Sequence, residues 1–380
     1  MNCNKIIRAC TVAQSVGFFA PMIPELRSRG YEVVSVSSDG PGLTMVNELG
    51  GKAISVEMQR HISPLKDLRS LWQMVRVFRR ERPAMVHSMT PKAGLICMMA
   101  AWICRVPVRV HTFTGLVFPT ATGLKQKILI LTDRLTCACA THIVPEGEGV
   151  KADLTRFGIT RKPLAVLGHG NIRGIDLDHF STEAPGVVEE SAKIRRDGVF
   201  TFIFIGRLVG DKGINELVEA FSRLNTERTH TRLILVGPEE RELDPLTPAT
   251  LKSIGSNPAI EAVGSQSDVR PWLAASDALV FPSYREGFPN VVIEAGAMGL
   301  PSVVTDINGS REIIIEGSNG TIVPPRSADA LYSAMLRFVD DRAKLSEMAA
   351  NARPLIASRY EQSYVRRCLK EYYSEVLKNK

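Results

Sequence analysis

The chain has 380 residues, and its hydrophobic fraction of 44% and charged fraction of 23% are typical of a globular α/β protein and exclude a disordered chain. This length exceeds what one hydrophobic core usually contains, so we expect two domains. The longest uncharged apolar stretch, residues 93–103, is too short to cross a bilayer, which takes about 20 residues, and the formal net charge of +7 is unevenly distributed.

The first half of the chain alternates predicted strands and helices. No secretory leader precedes the first predicted strand, so we expect a cytoplasmic location. Gly17 follows that strand and precedes a predicted helix, whose amino end could approach a phosphate. The predicted strands are residues 5–11, 32–37, 84–89 and 108–112, and the predicted helices are residues 18–29 and 94–104.

Residues 1–170 form the basic half, with 22 Lys and Arg against 11 Asp and Glu, whereas the remainder has 25 against 29. Part of this charge lies in a predicted helix at residues 63–82, where an apolar stripe includes Trp72. Two interpretations stay open, namely a solvated helix face and a basic amphipathic helix on an anionic membrane surface. Because the basic residues are not interleaved with aromatic ones and no recognition motif occurs, we expect no nucleic-acid partner.

A second series of strands begins after residues 168–171, where the hydrophobic pattern lapses. The sequence therefore predicts two doubly wound α/β sheets in series. Ligands of such sheets bind beyond the carboxyl ends of the strands, and a cleft between two domains suits a two-substrate reaction. The predicted strands are residues 200–205, 233–236, 260–263, 278–281 and 302–305.

Residues 283–294 contain two glutamates, Glu286 and Glu294, eight positions apart around a predicted strand-to-helix turn. Gly287 lets the backbone approach a ligand closely, and Pro289 suits the first turn of the following helix. The first N–H groups of that helix would face an anion, and the carboxylates could meet hydroxyls on either side of it. This layout predicts a site for a phosphorylated sugar. The alternative is one surface glutamate and one helix-capping glutamate.

Residues 206–213 follow the strand at 200–205 and supply two cations, Arg207 and Lys212. The segment is not a Walker loop, because the glycine spacing and the terminal Lys-Ser/Thr are absent. The two cations could clamp a diphosphate, and the alternative is a surface loop with ordinary charges. We place this segment two strand ends from Glu286 in one sheet.

His111 ends the strand predicted at 108–112, where it could be a sugar-hydroxyl ligand or a base, although strand-end histidines are more often structural. Asp176 and Asp178 match an Asp-x-Asp pattern that can hold a divalent ion. They lie in the segment entering the second domain, however, and Arg207 and Lys212 already supply positive charge. The seven cysteines have no repeated CxxC spacing. We therefore expect neither a metal nor another cofactor.

These residues resemble the retaining glycosyltransferases of family 4, which have the GT-B fold. The resemblance rests on Gly17, on the "GRL…KG" stretch and, most specifically, on the Glu-x7-Glu pattern of residues 286 and 294. It implies two Rossmann-like α/β domains facing a central cleft. We expect an acceptor-binding domain at residues 1–168, a donor-binding domain at 169–360, and a helix at 361–380 that packs back on the first domain.

The resemblance also implies roles by position. Arg207 and Lys212 would neutralise the donor diphosphate, Glu294 would bind ribose hydroxyls, and Val263 would lie beside the nucleobase. Many relatives carry a histidine at the position of Thr114, so the histidine often credited with assisting the reaction is missing there. The donor sugar would be held by Glu286 and by the segment Gly287, Phe288, Pro289, Asn290 and Val291, and Gly17 would complete the donor site.

The segments SMTPKAG, VHTFTGLVFP and GNIRGIDLDHF resemble bacterial enzymes that extend lipid-linked oligosaccharides for capsules and O-antigens. This implies transfer of a sugar, an N-acetylhexosamine as first choice, from a UDP-sugar to a polyprenyl-diphosphate-linked saccharide. The enzyme would work at the anionic inner face of the cytoplasmic membrane. The alternatives are a sugar-nucleotide epimerase of the same fold and a non-catalytic protein that binds a sugar nucleotide or membrane lipid.

Overall fold

The computed structural model describes residues 4–59, 63–240, 242 and 244–378. The chain divides into two compact units, one comprising Met1–Gly174 with Ser363–Lys380 and the other Ile175–Gln362. The last two residues of the helix predicted at 361–380 lie outside the described residues.

The first unit is a parallel sheet with helices packed against it. Its strands are β1 (Lys5–Ala9), β2 (Glu32–Ser37), β3 (Lys52–Ser55), β4 (Met85–Met89), β5 (Val108–Phe113) and β6 (His142–Pro145). Its helices up to Gly174 are α1 (Ile23–Ser28), α2 (Pro41–Glu48), α3 (Pro64–Glu81), α4 (Pro91–Ile103), α5 (Gly123–Cys139) and α6 (Glu148–Arg156). Short 3-10 turns lie at Ala13–Phe18, Ala20–Met22 and Phe118–Thr120. In space the strands follow the order β3-β2-β1-β4-β5-β6.

The second unit repeats this architecture. Its strands are β7 (Phe200–Ile205), β8 (Thr231–Val236), β9 (Ile260–Gly264), β10 (Ala278–Phe281), β11 (Ser302–Thr305) and β12 (Gly320–Val323). Its helices are α7 (Val187–Ile194), α8 (Ile214–Glu227), α9 (Pro248–Ser256), α10 (Arg270–Ala274), α11 (Asn290–Ala297), α12 (Ser310–Ile313), α13 (Ala328–Asp340) and α14 (Arg342–Tyr360), and a 3-10 turn lies at Gly210–Lys212. The strand order is β12-β11-β10-β7-β8-β9.

The final helix, α15 (Gln362–Lys378), belongs to the first unit. Its buried side chains Leu369, Tyr373 and Val376 pack in a core cluster with β1 and β4. The hydroxyl of Tyr373 is 2.6 Å from Nδ1 of the buried His87 on β4. The guanidinium of the buried Arg8 on β1 donates a hydrogen bond to the same hydroxyl. An apolar helix face and these two buried polar contacts therefore fix the helix on the first sheet.

Local sequence explains where two of the helices in the second unit begin. The side chains of Ser327 and Asp341 accept hydrogen bonds from the backbone N–H groups of Ala330 and Lys344, and so cap α13 and α14. Both faces of each parallel sheet are covered by helices, so the central strands β1, β4, β7 and β10 are buried along nearly their whole length. Strand β7, with the sequence FTFIFI, is buried along nearly its whole length.

The sequence-based prediction of alternating strands and helices is confirmed, with two main differences. The helix predicted at 18–29 begins only at Ile23, because two 3-10 turns precede it. Strands β3, β6 and β12 were not predicted, and all three are four-residue strands at the edge of a sheet, where a short strand is paired on one side only. No helix within the described ranges is both long and apolar enough to span a membrane.

Candidate functional site

The candidate site lies where the strand order of the second sheet reverses. Strand β7 lies between β8 and β10, because the chain returns from β9 to pair β10 with β7. Ligands of doubly wound sheets bind at such a switch point. The loops after β7 and β10 are therefore immediate neighbours, whereas the sequence analysis placed them two strand ends apart. The backbone N–H of Tyr284 donates to the carbonyl of Asp211 at 2.9 Å and ties the two loops together.

Gly213 allows the two loops to approach each other. Its φ is +71°, and a Cβ atom at this position would lie 2.2 Å from the backbone oxygen of Pro282. Both the left-handed backbone and the lack of space require glycine. Gly213 is also the N-cap of α8 and directly follows Lys212, so this contact sets the position of the lysine.

Lys212 and Glu286, predicted to act on the donor, form an ion pair between their Nζ and Oε1 atoms. Their side chains are only 16% and 19% exposed. Ser283, which is fully buried, donates a 2.9 Å hydrogen bond to the same carboxylate oxygen. Ser283 was not singled out from the sequence, and its position three residues before Glu286 at the end of β10 was the available signal. The ammonium and the hydroxyl together orient the Glu286 carboxylate.

Arg207 has a different carboxylate partner. Its Nη1 is 2.7 Å from Oε2 of Glu240, and the two side chains are 42% and 35% exposed. The sequence analysis missed Glu240, although it lies in the acidic stretch that directly follows β8 at the same edge of the sheet. A second acid near this stretch, Asp244, accepts a 2.5 Å hydrogen bond from the backbone N–H of Asp211. The segment after β8 therefore supports the loop that carries both cations.

The segment predicted to hold the donor sugar connects β10 with α11. Gly287, Phe288 and Pro289 are buried, and Asn290 and Val291 are half-buried at the start of the helix. Pro289 is the N-cap, one residue earlier than the helical first turn predicted for it.

Two neighbours fix this segment. The ring of Phe288 packs edge-to-face against Tyr360 with centroids 5.6 Å apart, so its side chain belongs to the core. A Cβ atom on Gly309 would lie 2.6 Å from the oxygen of Gly287. The backbone of this segment is therefore closely packed against Gly309.

The two residues assigned to the nucleoside lie on the same edge of the second unit. Glu294 is half-buried on α11, one helical turn after Asn290, as the spacing predicts. Val263 lies near the end of β9, half-buried, and its carbonyl accepts a 2.8 Å hydrogen bond from Gln266. Roles for both residues remain predictions.

His111 does not lie at a strand end as predicted. Strand β5 continues to Phe113, and the His111 ring is 1% exposed. Its Nδ1 lies 2.9 Å from the hydroxyl of Ser88, and a Cβ atom on Gly94 of α4 would lie 2.3 Å from the ring. Burial lowers the pKa of His111 to about 3. This enclosure favours a structural role for His111, and Thr114 follows it as a half-buried residue beyond the strand.

Gly17 lies in the 3-10 turn Ala13–Phe18 and not before a helix amino end as predicted, since α1 begins six residues later. The space beside its Cα atom is open to 4 Å. At the switch point of the first sheet, between β1 and β4, the hydroxyls of Thr11 and Thr90 are 2.7 Å apart. This edge presents hydroxyl groups where the second sheet presents charges.

Asp176 has a structural explanation. One of its carboxylate oxygens accepts 3.0 Å hydrogen bonds from the backbone N–H groups of Asp178 and His179, and the bond from His179 contributes most to lowering the pKa of Asp176. The Asp-x-Asp pattern thus stabilises a turn. No group of three or more potential metal-ligating side chains occurs among the residues that the structure describes.

The chemistry of this edge is that of anion and hydroxyl recognition. Two cations follow β7, a carboxylate held by Lys212 and Ser283 follows β10, and a helix of eight residues begins next to it. Fixed cations and helix amino ends stabilise phosphate groups, and carboxylates accept hydrogen bonds from hydroxyls.

Known proteins are similar to this chain in both sequence and fold. Residues 18–170 match the family model described as "Glycosyl transferase 4-like domain", and residues 199–341 match the one described as "Glycosyl transferases group 1". One relative is the capsular polysaccharide biosynthesis glycosyltransferase CapM of Staphylococcus aureus, to which the chain is 30% identical over 380 residues. The alignment covers 100% of this chain and 99% of that relative.

Two further relatives have more specific names. One is the UDP-Gal:alpha-D-GlcNAc-diphosphoundecaprenol alpha-1,3-galactosyltransferase of Escherichia coli, 26% identical over 84% of this chain and 83% of its own. The other is the N,N'-diacetylbacillosaminyl-diphospho-undecaprenol alpha-1,3-N-acetylgalactosaminyltransferase of Campylobacter jejuni, 25% identical over 95% and 96%. Among solved structures, Anabaena Alr3699/HepE in complex with UDP-glucose superposes with a TM-score of 0.80 at 19% identity, covering 98% of this chain and 99% of that one.

Two Rossmann-type units with this strand order and these structural neighbours define the GT-B class. The chain belongs to the family 4 glycosyltransferases and is a transferase, as the resemblance implied.

Proposed function

We propose that this enzyme is a retaining glycosyltransferase that moves a sugar from a UDP-sugar to a polyprenyl-diphosphate-linked saccharide during synthesis of a surface polysaccharide. The observation that carries the proposal is the Lys212–Glu286 ion pair at the switch point of the second sheet. It brings a cation for the diphosphate next to a carboxylate for the sugar hydroxyls.

The proposed chemistry follows the charge that develops during transfer. As the bond between the anomeric carbon and the phosphate oxygen breaks, negative charge grows on the diphosphate and positive charge on the sugar. Cations fixed near the phosphate lower that barrier, and we assign this role to Lys212 and Arg207. The acceptor hydroxyl attacks from the face that the phosphate leaves, and its proton passes to the departing diphosphate. No protein nucleophile or metal is needed.

The low exposure of Lys212 gives it the larger share of this effect. Its side chain is 16% exposed, whereas that of Arg207 is 42% exposed, and a charge shielded from water interacts more strongly. Glu286 would accept hydrogen bonds from donor-sugar hydroxyls, with its orientation set by Ser283. Gly287 to Val291 would contribute backbone contacts, Glu294 would bind the ribose and Val263 would lie beside the base.

The substrates are proposed from the relatives. Two of them act on undecaprenyl-diphosphate-linked saccharides by name, and the S. aureus relative is named for capsular polysaccharide synthesis. One relative transfers N-acetylgalactosamine and another galactose. We keep an N-acetylhexosamine as the first donor sugar to test and UDP-galactose as its main competitor. We also propose work at the anionic cytoplasmic face of the membrane, where a lipid-linked acceptor is embedded.

The competing hypotheses have less support. The family models and the three relatives describe transferases, and none of these descriptions supports an epimerase. A non-catalytic binder has no need of two cations and an oriented carboxylate at one sheet edge. Incubation with donor alone separates these hypotheses, because an epimerase interconverts the sugar without an acceptor, and a binder releases no product under any condition.

The decisive experiment uses the full-length enzyme with a panel of UDP-sugars and a polyprenyl-diphosphate-linked saccharide, with products identified by mass spectrometry. We expect one new glycosidic bond, formed only when donor and acceptor are both present. Lys212→Met should lower kcat/KM roughly a hundredfold or more, by analogy with loss of an oxyanion donor.

The matched control is Lys193→Met. Lys193 also pairs with glutamates in the second unit but lies on α7, and its side chain is 58% exposed. Its removal should leave kcat/KM within about twofold of the wild-type value. Equal kinetics for Lys212→Met and Lys193→Met would refute the proposed role of Lys212.

A further inference from the structure

Exposed apolar side chains are concentrated on three helices of the first unit. In the residues that the structure describes, nine of thirteen exposed large apolar side chains lie on α3, α4 and α5. Single exposed apolar residues are normal, but such a concentration marks an interaction surface. The nine are Leu65, Leu68, Trp72, Trp102, Ile103, Leu124, Ile128, Leu131 and Leu135.

The helices that carry these residues are neighbours, because α4 packs against both α3 and α5. We call their exposed residues the three-helix face. On α5, four of the apolar residues follow a helical repeat from Leu124 to Leu135, so they form one stripe. Leu124 and Leu131 are 74% and 66% exposed, and Trp72 and Trp102 are 55% and 60% exposed.

The same face carries positive charge. Lys125 and Lys127 flank the apolar stripe of α5, and the guanidinium of Arg76 lies 3.2 Å from the ring centroid of Trp72. The exposed basic residues of the three helices are Lys66, Arg69, Arg76, Arg79, Arg80, Lys125, Lys127 and Arg134.

The acidic residues of these helices offset little of that charge. Asp67 pairs with Lys92 at 2.6 Å, and the buried Glu81 pairs with Lys5, Lys52 and, among the exposed basic residues, Arg80. Asp133 is half-buried on α5, and burial raises its pKa to about 7. The net character of the three-helix face is therefore apolar and cationic.

We propose that the three-helix face docks on an anionic lipid bilayer, with the α5 stripe and the exposed tryptophans in the interfacial layer and the basic residues at the headgroups. Bulky apolar residues flanked by Lys and Arg are typical of interfacial helices, and tryptophan favours the headgroup level. An interface between two copies of the chain is less consistent, because such interfaces are depleted of lysine at their core. The inference rests on the proposed lipid-linked acceptor, and it identifies the surface that would bring the enzyme to it.

The test is flotation of the full-length enzyme with vesicles of phosphatidylcholine, with and without phosphatidylglycerol. We expect binding only to the anionic vesicles. The variant Leu124→Gln/Leu131→Gln should lower the partition coefficient at least about tenfold, because both side chains lose their apolar insertion. The matched control is Val188→Gln/Leu251→Gln, which changes two exposed apolar residues of the second unit and should stay within about twofold of wild type.

Three results would overturn the inference. These are absence of binding to either vesicle, equal binding by the Leu124→Gln/Leu131→Gln variant and the wild type, and a wild-type dimer in sedimentation velocity that this variant dissociates. The last result would make the face an interface between copies.

Transfer to a short-chain, water-soluble acceptor separates this inference from the proposed function. The Leu124→Gln/Leu131→Gln variant should retain full turnover with that acceptor and lose rate only with a vesicle-embedded one. A wild-type enzyme that binds anionic vesicles but transfers sugar to neither acceptor would refute the proposed function and leave the docking surface supported.

Discussion

Replacement of Gly213 by alanine tests whether the contact between the two loops positions Lys212. Gly213 has φ +71° and ψ 22°, and its added Cβ would lie 2.2 Å from the backbone oxygen of Pro282. Ordinary van der Waals contact begins at 3.4 Å, so the loops must separate by about 1 Å. A displacement of that size in a reacting geometry can cost about a hundredfold in rate.

A matched control exists in the same unit. Gly186 is the N-cap of α7, has φ +79° and ψ −17°, and has no atom within 4 Å of the position of an added Cβ. Gly186→Ala therefore carries the left-handed backbone penalty of about 1–2 kcal/mol without a steric clash. It should lower thermal stability and leave kcat/KM within about twofold of wild type.

We expect Gly213→Ala to lower kcat/KM about a hundredfold and to lose more stability than Gly186→Ala, roughly 2–4 kcal/mol in total. The assay measures initial rates over a range of UDP-sugar concentrations, at a temperature where circular dichroism shows both variants folded. If Gly213→Ala retains kcat/KM within about threefold of Gly186→Ala, the close approach of the loops does not set the position of Lys212, and that step of the reasoning is wrong.

Three further predictions concern residues around the same chemistry. Glu240→Gln should lower the Kd for UDP by up to about fivefold, because it releases Arg207 from a solvent-accessible ion pair worth about 0.2–1 kcal/mol; calorimetric titration measures this Kd, and a raised value would contradict the prediction. Ser283→Ala should lower kcat/KM about tenfold, because Glu286 loses a buried hydrogen bond; unchanged kinetics would count against that orienting role. His111→Gln should reduce the acid sensitivity of folding. Its folded pKa of about 3 lies below its ordinary value of 6.5, so the unfolded state binds the proton first and stability falls as the pH drops below 6.5. This group removes about 1.4 kcal/mol at pH 5.5 relative to pH 7.5, which denaturant unfolding at the two pH values can measure, and an unchanged difference in His111→Gln would refute it.

Sequence patterns were sufficient for the strands and helices with strong hydrophobic periodicity. Strands such as Phe200–Ile205 and Ala278–Phe281 lie inside their sheet and consist largely of apolar residues. Strand Lys52–Ser55 is different, because it lies at the sheet edge with partly exposed side chains and has no apolar run to detect. Burial on both faces creates the signal that a single sequence shows, so short edge strands escape it.

The sequence predicted those candidate site residues whose spacing can be read within one continuous segment of the chain. Glu286 and Glu294 are found from spacing within one strand–turn–helix segment. The contact of Glu240 with Arg207 depends on which strands are adjacent, and the return from β9 to β10 cannot be read from local periodicity. Ser283 was missed although it lies only three residues before Glu286 in the same segment. The enclosure of the His111 ring was not predictable for a related reason, since it results from the packing of α4 on β5, which the sequence of its own strand does not encode.

Both sheets have the same topology, with a reversal between their first and fourth strands, so topology alone offers two equivalent binding edges. The side chains at the strand ends distinguish them. At the first edge the hydroxyls of Thr11 and Thr90 meet. At the second edge Arg207 and Lys212 follow the first strand, and the carboxylate of Glu286 follows the fourth. Cations suit a diphosphate and a carboxylate suits the hydroxyls of a sugar, so our proposal places the donor on the second unit on the basis of side-chain chemistry and not of fold.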